Sequence, residues 1–473
     1  MIMNKYIDFN MHLPDHIHYA CARLLECGHQ AYVVGGAVRD SVLGRGVHDY
    51  DIATNATPEE TKTAFGGRKT IDVGIKYGTV VVCFDEGNVE ITTFRVDGDY
   101  SDSRRPDGVK LSDSLEDDLS RRDFTMNALA YSPVINKIID CFGGYSDINN
   151  RIIRAVGVPK KRFEEDALRM LRAIRFMAQL EYDTDEHIWI EHDTLKAITR
   201  NRHLIGKLSR ERVRAELDKI LLCESSMIEP LMLMQELGVM SYVIPELSAG
   251  YGLIQPEKYH QYDVYGHCVR AAAYMSNCYA QGDVGLTITA LLHDIGKPFT
   301  RSVGSDGTPH YYEHEMVGAD MARDILQRLK YPNEIIDRAA RLIRNHMRPF
   351  NPGKDIDMWA RKLIHRMGES GAQDVLTLHQ CDFRAARKDT SEDDARCDLL
   401  MIAVDNAINS HAPSSTKDLA ISGKDIMEWL HIEPGVMVGK AMRYCMDEVL
   451  RNPAHNDKDY LKKNVIGRFH DAS

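Results

Sequence analysis

The sequence predicts an α+β protein in which a sheet-containing N-terminal part is followed by an all-helical remainder. Between residues 31 and 150, helical stretches alternate with the runs YVVGG, DYDIAT, TVVVCF and VEITTF. These runs are rich in the β-branched and aromatic residues that strands favour. From about residue 160 they end, and apolar residues recur with the period of a helix among Leu, Met, Ala and Arg. We therefore expect a mixed sheet with helices, and after it helices alone.

Length and composition exclude several classes of protein. The chain has 473 residues, of which 44% are hydrophobic and 27% charged, a balance that excludes global disorder and fits three or four domains. Its longest apolar runs are well short of the roughly 18–20 residues that cross a bilayer, and its N-terminus lacks the apolar core of a signal peptide. The ten cysteines form no CxxC pair, which favours reduced thiols. We expect a cytoplasmic protein without a membrane partner.

A glycine turn and a pair of carboxylates lie close together near the N-terminus. In YVVGGAVRD a predicted strand runs through Gly35 and Gly36 into a helix, and backbone amides at such a turn can bind phosphate. Asp49 and Asp51 are one residue apart in the predicted strand DYDIAT, so we expect both side chains on one face of the sheet. Paired carboxylates suit Mg²⁺. Each motif alone also fits an ordinary turn or a solvated edge strand, but the combination favours a nucleotide site.

Two further segments carry donors for phosphate, hydroxyl groups or bases. In SRRDFTMNALAY, Arg121, Arg122 and Asn127 offer such donors, although surface ion pairs would explain the arginines equally well. In FEEDALRMLRAIRF, Asp166 and Arg169 are three residues apart, which predicts that they share one helical face. A carboxylate and a guanidinium held side by side match the edge of a base. The alternative is an intrahelical salt bridge.

The motifs GGAVRD, DYDIATNATPEE, GDYSDSRRP, RRDFTMNALAY and EDALRMLRAIRF resemble, in order and spacing, those of the bacterial-type (class II) tRNA nucleotidyltransferases. These are the CCA-adding enzymes and their poly(A) polymerase relatives, within the DNA polymerase beta superfamily. The resemblance covers roughly residues 12–245. It implies a nucleotidyltransferase head, a helical neck that selects the nucleotide, and addition of CCA to the 3′ end of tRNA from CTP and ATP with two Mg²⁺ ions.

The resemblance also implies a role for individual positions. Asp49 and Asp51 correspond to the catalytic Mg²⁺ ligands, Asp166 and Arg169 to the pair that selects CTP and ATP, and residues 98–106 to the flexible loop that argues against a CC-only enzyme. Glu90 is the one candidate for the third carboxylate of some relatives. The nucleotide-binding residues implied are Gly35, Gly36, Arg39, Arg121, Asp123, Asn127, Asp166, Arg169 and Arg172.

The second half of the chain contains potential metal ligands. Imidazoles together with carboxylates suit divalent transition metals or Mg²⁺. The order His, His-Asp, distant Asp resembles the signature of the HD phosphohydrolase superfamily over about residues 259–390. The resemblance implies hydrolysis of 2′,3′-cyclic phosphates or related esters, with His314 and His346 available for a second metal. The four signature residues are His267, His293, Asp294 and Asp382.

The charge distribution indicates where RNA would bind. The net charge of −11 argues against a nucleic-acid partner, but residues 151–222 carry 16 basic and 12 acidic side chains. We expect Arg210, Arg212 and Arg214, in the densest basic stretch, to contact the tRNA backbone.

These observations predict four domains and leave two alternatives open. The first alternative is a poly(A) polymerase, or a partial A- or CC-adding enzyme, with an HD body that is only structural. The second is a non-catalytic, RNA-binding head that serves the hydrolase, which the intact motifs disfavour. The domains are a nucleotidyltransferase head (1–155), a helical neck (156–247), an HD domain (248–400) and a helical tail (401–473).

Overall fold

The computed structural model describes residues 5–98, 108–184, 186–256, 260–280, 282–347, 355–387, 390–411 and 413–469. The chain divides into two compact units, one comprising 1–248 with 328–330 and the other 249–327 with 331–473. No helix within the described ranges is long and apolar enough to cross a membrane.

The first unit contains short strands, most of which form one sheet. They are β1 (Tyr6–Asp8), β2 (Ala31–Val34), β3 (Asp51–Thr54), β4 (Thr70–Gly74), β5 (Thr79–Phe84), β6 (Gly87–Thr93), β7 (Arg95–Asp97), β8 (Val109–Leu111), β9 (Leu129–Ser132), β10 (Lys137–Asp140), β11 (Ile152–Ile153) and β12 (Trp189–Ile190). Eight of them pair in the order β1-β10-β9-β2-β3-β6-β5-β4, while β7–β8 and β11–β12 are separate pairs. Within the sheet β3 and β6 are parallel and the other described neighbours antiparallel. This confirms the predicted mixed sheet.

The sheet is accompanied by short helices and followed by longer ones. Thr57 forms a capping box with Glu60 and precedes Pro58, which explains why a helix begins directly after β3. The helices of the first unit are α1 (Asp15–Glu26), α2 (Gly36–Val42), α3 (Pro58–Ala64), α4 (Leu115–Ser120), α5 (Gly144–Asn149), α6 (Pro159–Glu165), α7 (Leu168–Thr184), α8 (His192–Asn201), α9 (Arg210–Leu221), α10 (Ile228–Glu236), α11 (Met240–Val243) and α12 (Pro245–Ser248).

In the described part of the second unit, the regular structure is helical apart from one small hairpin, β13 (Ser302–Val303) with β14 (Pro309–His310). Near the C-terminus, Ile426, Cys445 and Leu461 belong to a separate apolar core. The helices are α13 (Val264–Met275), which continues as a π-helix (Ser276–Ala280), α14 (Val284–Leu292), α15 (Lys297–Thr300), α16 (His314–Arg328), α17 (Asn333–Asn345), α18 (Ile356–Met367), α19 (Glu369–Ala386), α20 (Ser391–Asn409), α21 (Gly423–Leu430), α22 (Val436–Arg451) and α23 (Lys458–Phe469). Short 3₁₀ helices lie in the first unit at Ile75–Tyr77, Thr125–Asn127, Arg202–Lys207 and Glu224–Met227, and in the second unit at Thr416–Asp418 and Pro453–His455.

Candidate active sites

A cavity of about 390 Å³ in the first unit brings together all nine residues predicted to bind the nucleotide, and Asp51 with them. Six arginines and three aspartates line it, a balance that suits a polyanionic ligand such as a triphosphate. The lining residues are Gly35, Gly36, Arg39, Asp51, Arg121, Arg122, Asp123, Asn127, Asp166, Leu168, Arg169, Arg172, Phe176 and Arg212.

Of the two carboxylates of the DxD motif, Asp51 belongs to a strand of the sheet and Asp49 lies just before it. Strand β3 begins at Asp51, where its partner Val34 ends β2 at the glycine turn, so Asp49 precedes the strand and is exposed. Asp49 nevertheless lies close enough to act on the Asp51 carboxyl, and the placement of both side chains on one face stays a prediction. Glu90 is the residue paired with Asp51 in the parallel register of β3 and β6.

The electrostatic surroundings of Asp51 fit a cation. Asp51 is itself exposed at the cavity, and partial desolvation by the atoms around it, together with Glu90 and Asp49, raises the pKa of its carboxyl against the opposing effect of Arg122. Carboxylates that repel one another in this way are stabilised when a divalent cation binds between them. Asp49, Asp51 and Glu90 are the carboxylates near the cavity that could contribute to a metal site, although their oxygen atoms do not converge within 4.8 Å as the ligand atoms in the second unit do.

Gly35 permits a close approach of Arg122 to the turn. Gly35 has a φ of +73°, and a Cβ at this position would lie 2.8 Å from Nη1 of Arg122. Arg122 and Arg121 are in turn held by Asp118, whose side chain is buried, at 3.2 and 2.7 Å. Although burial alone would raise it, the two guanidinium groups lower the pKa of Asp118. The turn, Arg121 and Arg122 are therefore fixed as one assembly.

Asp123 connects the neck helix α7 with the region around the glycine turn. Its Oδ2 accepts from Nε of Arg172 at 2.8 Å, and its Oδ1 accepts from Nδ2 of Asn127 at 3.0 Å. Asn127 in turn accepts from Nη1 of Arg39 at 2.8 Å. Burial opposes ionisation of Asp123, but Arg172 and Asn127 hold its pKa at about 2. These hydrogen bonds orient the two arginines that border the cavity.

Phe176 forms an aromatic wall of the cavity that the motif analysis did not assign to the site. Its ring lies 5.0 Å from the guanidinium carbon of Arg39 and 4.0 Å from that of Arg175, both cation–π distances. The Phe176 side chain is 3% exposed. An aromatic side chain in an arginine-rich helix was the available signal.

Asp166 and Arg169 do not share a helical face as predicted. Asp166 ends α6 in an extended conformation, with a φ of −140° and a ψ of 104°, and its Oδ1 accepts from the backbone N–H of Leu168 in the first turn of α7. The helix breaks because this side chain caps the following helix. Asp166 instead pairs with Arg212 at 2.8 Å, and Arg169 pairs with Glu165 at 2.8 Å.

The basic stretch on α9 has partners within the protein. Arg212 lines the cavity, Arg210 donates to the carbonyl oxygen of Tyr242 at 3.0 Å, and Arg214 lies 3.7 Å from Asp218. Apart from Gly98, the predicted loop 98–106 lies outside the described residues.

The four HD signature residues come together in the second unit. His267 is on α13, His293 and Asp294 follow α14, and Asp382 is on α19. Their potential ligand atoms all lie within 4.8 Å of one another. Asp294, His314 and His346 form a second group of the same compactness. Asp294 belongs to both groups, with Oδ2 3.3 Å from His293 and Oδ1 3.2 Å from His314.

The histidines of this cluster are orientated for metal binding. Nδ1 of His293, His314 and His346 donates to the carbonyl oxygen of Ala290, Tyr311 and Ile343, respectively, at 2.6–2.8 Å. Since a carbonyl oxygen only accepts, Nδ1 carries a proton, and Nε2 is the nitrogen that a metal ion could reach. Nε2 of His314 and of His346 is buried without a hydrogen-bond partner among the described residues. These buried, unpaired nitrogens fit a metal ion.

The carboxylates of the cluster are ionised despite their burial. Burial disfavours the charged form, but Lys297 and His293 hold the pKa of Asp294 well below its usual value. His267 and His293 do the same for Asp382. Burial would lower the pKa of His293, yet the two aspartates raise it to about 10. Lys297 and His293 thus balance the charges of the two aspartates, and a divalent cation bound at the cluster would take the place of the His293 proton.

Three family models match the chain. The poly A polymerase head domain matches residues 31–154, the probable RNA and SrmB-binding site of polymerase A matches 189–250, and the HD domain matches 259–403. The CCA-adding enzyme of Ligilactobacillus salivarius (strain UCC118) is 33% identical over 450 residues, which cover 94% of each chain. The chain belongs to the CCA-adding enzyme family.

Other CCA-adding enzymes agree over the same length. That of Geobacillus stearothermophilus is 35% identical over 440 residues, 93% of each chain. The crystal structure of the Bacillus stearothermophilus CCA-adding enzyme in complex with CTP has a TM-score of 0.67 at 29% identity and covers 97% of this chain and 98% of that chain. The Thermotoga maritima CCA-adding enzyme complexed with tRNA has a TM-score of 0.63 at 19% identity, which shows the shared fold. The matches to the polymerase head domain and the HD domain, together with the two ligand groups, imply that the protein depends on divalent metals.

Proposed function

We propose that the protein adds CCA to the 3′ end of tRNA from CTP and ATP. The observation that carries this proposal is the cavity in which the glycine turn, Asp51, the RRD segment and the neck helix α7 meet. Relatives over the whole length are CCA-adding enzymes, and solved relatives were captured with CTP, ATP or tRNA. A poly(A) polymerase or a partial enzyme is the alternative.

The residues around the cavity divide the work of binding and orientation. Arg39, Arg121 and Arg122 neutralise the triphosphate, for which the turn at Gly35 and Gly36 offers backbone amides. Arg172, fixed by Asp123, and Asn127 orient the nucleotide from the neck side. Asp166 accepts a hydrogen bond from the exocyclic amine of cytosine or adenine. Arg169 lines the cavity together with Asp166.

Asp49, Asp51 and Glu90 would hold the proposed Mg²⁺ ions. When bound, Mg²⁺ neutralises charge that develops on the phosphates during transfer. The 3′-hydroxyl oxygen of tRNA attacks the α-phosphorus in line, the new phosphodiester bond forms, and the bond to pyrophosphate breaks. The proton of the hydroxyl passes to solvent water, and pyrophosphate leaves. The described residues provide position and charge and form no covalent bond to the substrate.

Incubation with tRNA that lacks its 3′ terminus tests this proposal. Labelled CTP and ATP are supplied separately and together, and the products are sequenced. We expect two C residues and then one A. Indefinite addition of A without use of CTP would identify a poly(A) polymerase. The variant D51N should lose addition while retaining tRNA binding, because Asp51 lies at the metal site and not on α9.

We propose a second activity, hydrolysis of phosphate esters, in the second unit. His267, His293, Asp294 and Asp382 would hold one divalent cation, a transition metal or Mg²⁺, and Asp294 would share a second with His314 and His346. When bound, such cations polarise a phosphate and promote attack by water. Lys297, 2.6 Å from Asp294 and hydrogen-bonded to Gln255, fixes the shared carboxylate. Suitable substrates are 2′,3′-cyclic phosphates and 2′-nucleotides.

Two variants separate this activity from nucleotide addition. Hydrolysis of a 2′,3′-cyclic nucleotide with Mn²⁺ or Ni²⁺ should survive D51N and disappear in D294N, whereas CCA addition should show the reverse. Hydrolysis that disappears in both would indicate a single site. If the cluster only stabilises the fold, the unaltered protein should not hydrolyse the substrate, and D294N should melt at a lower temperature.

The division into head (1–155), neck (156–247), HD domain (248–400) and tail (401–473) is part of the same proposal. Arg210 and Arg214 on α9 are proposed to contact the tRNA backbone, supported by the match to an RNA-binding family model over residues 189–250. A cytoplasmic location is also proposed, supported by ten free cysteines.

A further inference from the structure

The Asp166 carboxylate is held by two contacts from two different helices. Its Oδ1 accepts from the backbone N–H of Leu168 at 3.0 Å, and its Oδ2 accepts from Nη2 of Arg212 at 2.8 Å. The first contact comes from the start of α7 and the second from α9. Both oxygen atoms are therefore fixed, and each retains a lone pair for a further donor.

Arg169, the other basic residue near Asp166, is committed elsewhere. Its Nη1 donates to Glu165 at 2.8 Å and to the carbonyl oxygen of Arg162 at 3.2 Å, and its Nη2 donates to the carbonyl oxygen of Arg121 at 2.8 Å. The guanidinium that contacts Asp166 is that of Arg212, 46 residues further along the chain. Its Nη1 is buried and has no hydrogen-bond partner among the described residues.

We propose that Arg212 is a positioning residue that determines which bases the enzyme accepts. The inference rests on the proposed nucleotide addition, in which Asp166 contacts the base. Cytosine and adenine present an exocyclic amine, a donor, where uracil and guanine present a carbonyl oxygen, an acceptor. A carboxylate fixed by Arg212 accepts only, so it binds the amine and repels the carbonyl oxygen.

Loss of Arg212 would change what Asp166 offers to the base. Without the guanidinium, one carboxylate oxygen loses its charged partner and is free to rotate. A rotated carboxylate still accepts, but its oxygen no longer lies where the exocyclic amine of cytosine or adenine is presented, so the preference for these bases over uracil and guanine weakens. A charged hydrogen bond of this kind is worth about tenfold to a hundredfold in selectivity, so discrimination should fall by at least about tenfold.

The variant R212Q tests the inference with the full chain. Addition of CMP against UMP, and of AMP against GMP, is measured on tRNA ending at the appropriate position, together with the KM for tRNA. We expect discrimination to fall at least about tenfold and the KM for CTP to rise, with the KM for tRNA unchanged. R212K keeps the charge with one donor and should restore part of the discrimination. K219Q removes an exposed charge from the same helix and should leave discrimination unchanged.

Two results would overturn the inference. Full discrimination in R212Q would show that Asp166 needs no support, and an effect confined to the KM for tRNA would make Arg212 an RNA contact. If R212Q does not fold, R212K decides, because a purely structural ion pair would leave its discrimination as in the unaltered protein. Equilibrium binding of CTP, UTP, ATP and GTP keeps the test independent of the proposed function. An unaltered protein that adds no nucleotide refutes that function, while the CTP-to-UTP affinity ratio of R212Q still tests Arg212.

Discussion

Asp51 and Glu90 occupy paired positions on the parallel strands β3 and β6, and Glu90 contributes to the raised pKa of Asp51. Two carboxylates in this relationship repel each other without a cation and gain from binding one together. The register of the two strands therefore fixes the position of Glu90 relative to Asp51. Asp49 precedes β3, so its position is not set by this register.

The first prediction concerns Glu90. E90Q removes one of the charges that favour a cation beside Asp51, so the Mg²⁺ concentration needed for half-maximal CMP addition should rise about tenfold, and kcat should fall. A Mg²⁺ titration of CMP addition measures both. E86Q, at the exposed turn between β5 and β6, is the matched control and should behave as the unaltered protein. Equal titrations for E90Q and E86Q would remove Glu90 from the metal site.

The second prediction concerns the glycine turn. G35A and G44A both place a side chain at a positive φ, +73° and +71°, and each should destabilise the protein by about 1–2 kcal/mol. Only the Cβ at position 35 meets another group, Nη1 of Arg122, whereas nothing lies within 4 Å at position 44. We therefore expect the KM for CTP to rise severalfold in G35A alone. Urea unfolding and steady-state kinetics check the two effects, and equal KM values in both variants would contradict a phosphate-binding role of this turn.

The third prediction uses the depressed pKa of Asp123. This carboxyl has a pKa of about 2 in the folded protein, below its usual 3.8, so its ion pair with Arg172 stabilises the fold above about pH 4. That contribution, about 2 kcal/mol, is lost as the pH falls from 4 towards 2. The unfolding free energy of D123N in urea should therefore depend less on pH over this range. D113N, which alters an exposed carboxyl in the preceding segment, should show the same dependence of unfolding free energy on pH as the unaltered protein. If D123N also shows that dependence, the stabilisation comes from another group.

The sequence was sufficient for the parts of the fold and site that depend on local pattern. The four strand runs rich in β-branched residues all lie in the sheet, as β2, β3, β5 and β6. The motif positions around Gly35, Asp123 and Arg172 also predicted residues that line one cavity. In the second unit, the order of His and Asp residues predicted a cluster whose ligand atoms converge.

The remainder depends on contacts that spacing does not encode. Asp166 caps the helix after it, so the three-residue spacing to Arg169 does not describe a shared face. Its partner Arg212 comes from a distant helix and was predicted to contact RNA because the surrounding sequence is basic. The pairing of Asp51 with Glu90 follows from the register of two strands joined by a long connection. Each of these features is set by tertiary packing.

The fourth prediction counts the metal ions in the second unit. Asp294 belongs to two ligand groups, so the protein should bind two Mn²⁺ ions in this unit, and the double variant H314A/H346A, which leaves His267, His293 and Asp382 in place, should bind one. All proteins carry D51N, which suppresses binding in the first unit, and metal content is measured after equilibrium dialysis. H365A removes a histidine from α18 outside the cluster and should leave the count at two. If the protein binds one ion with and without H314A/H346A, the two histidines have a role other than holding metal. If it binds two ions only when His314 and His346 are both present, Asp294 is shared between two cations.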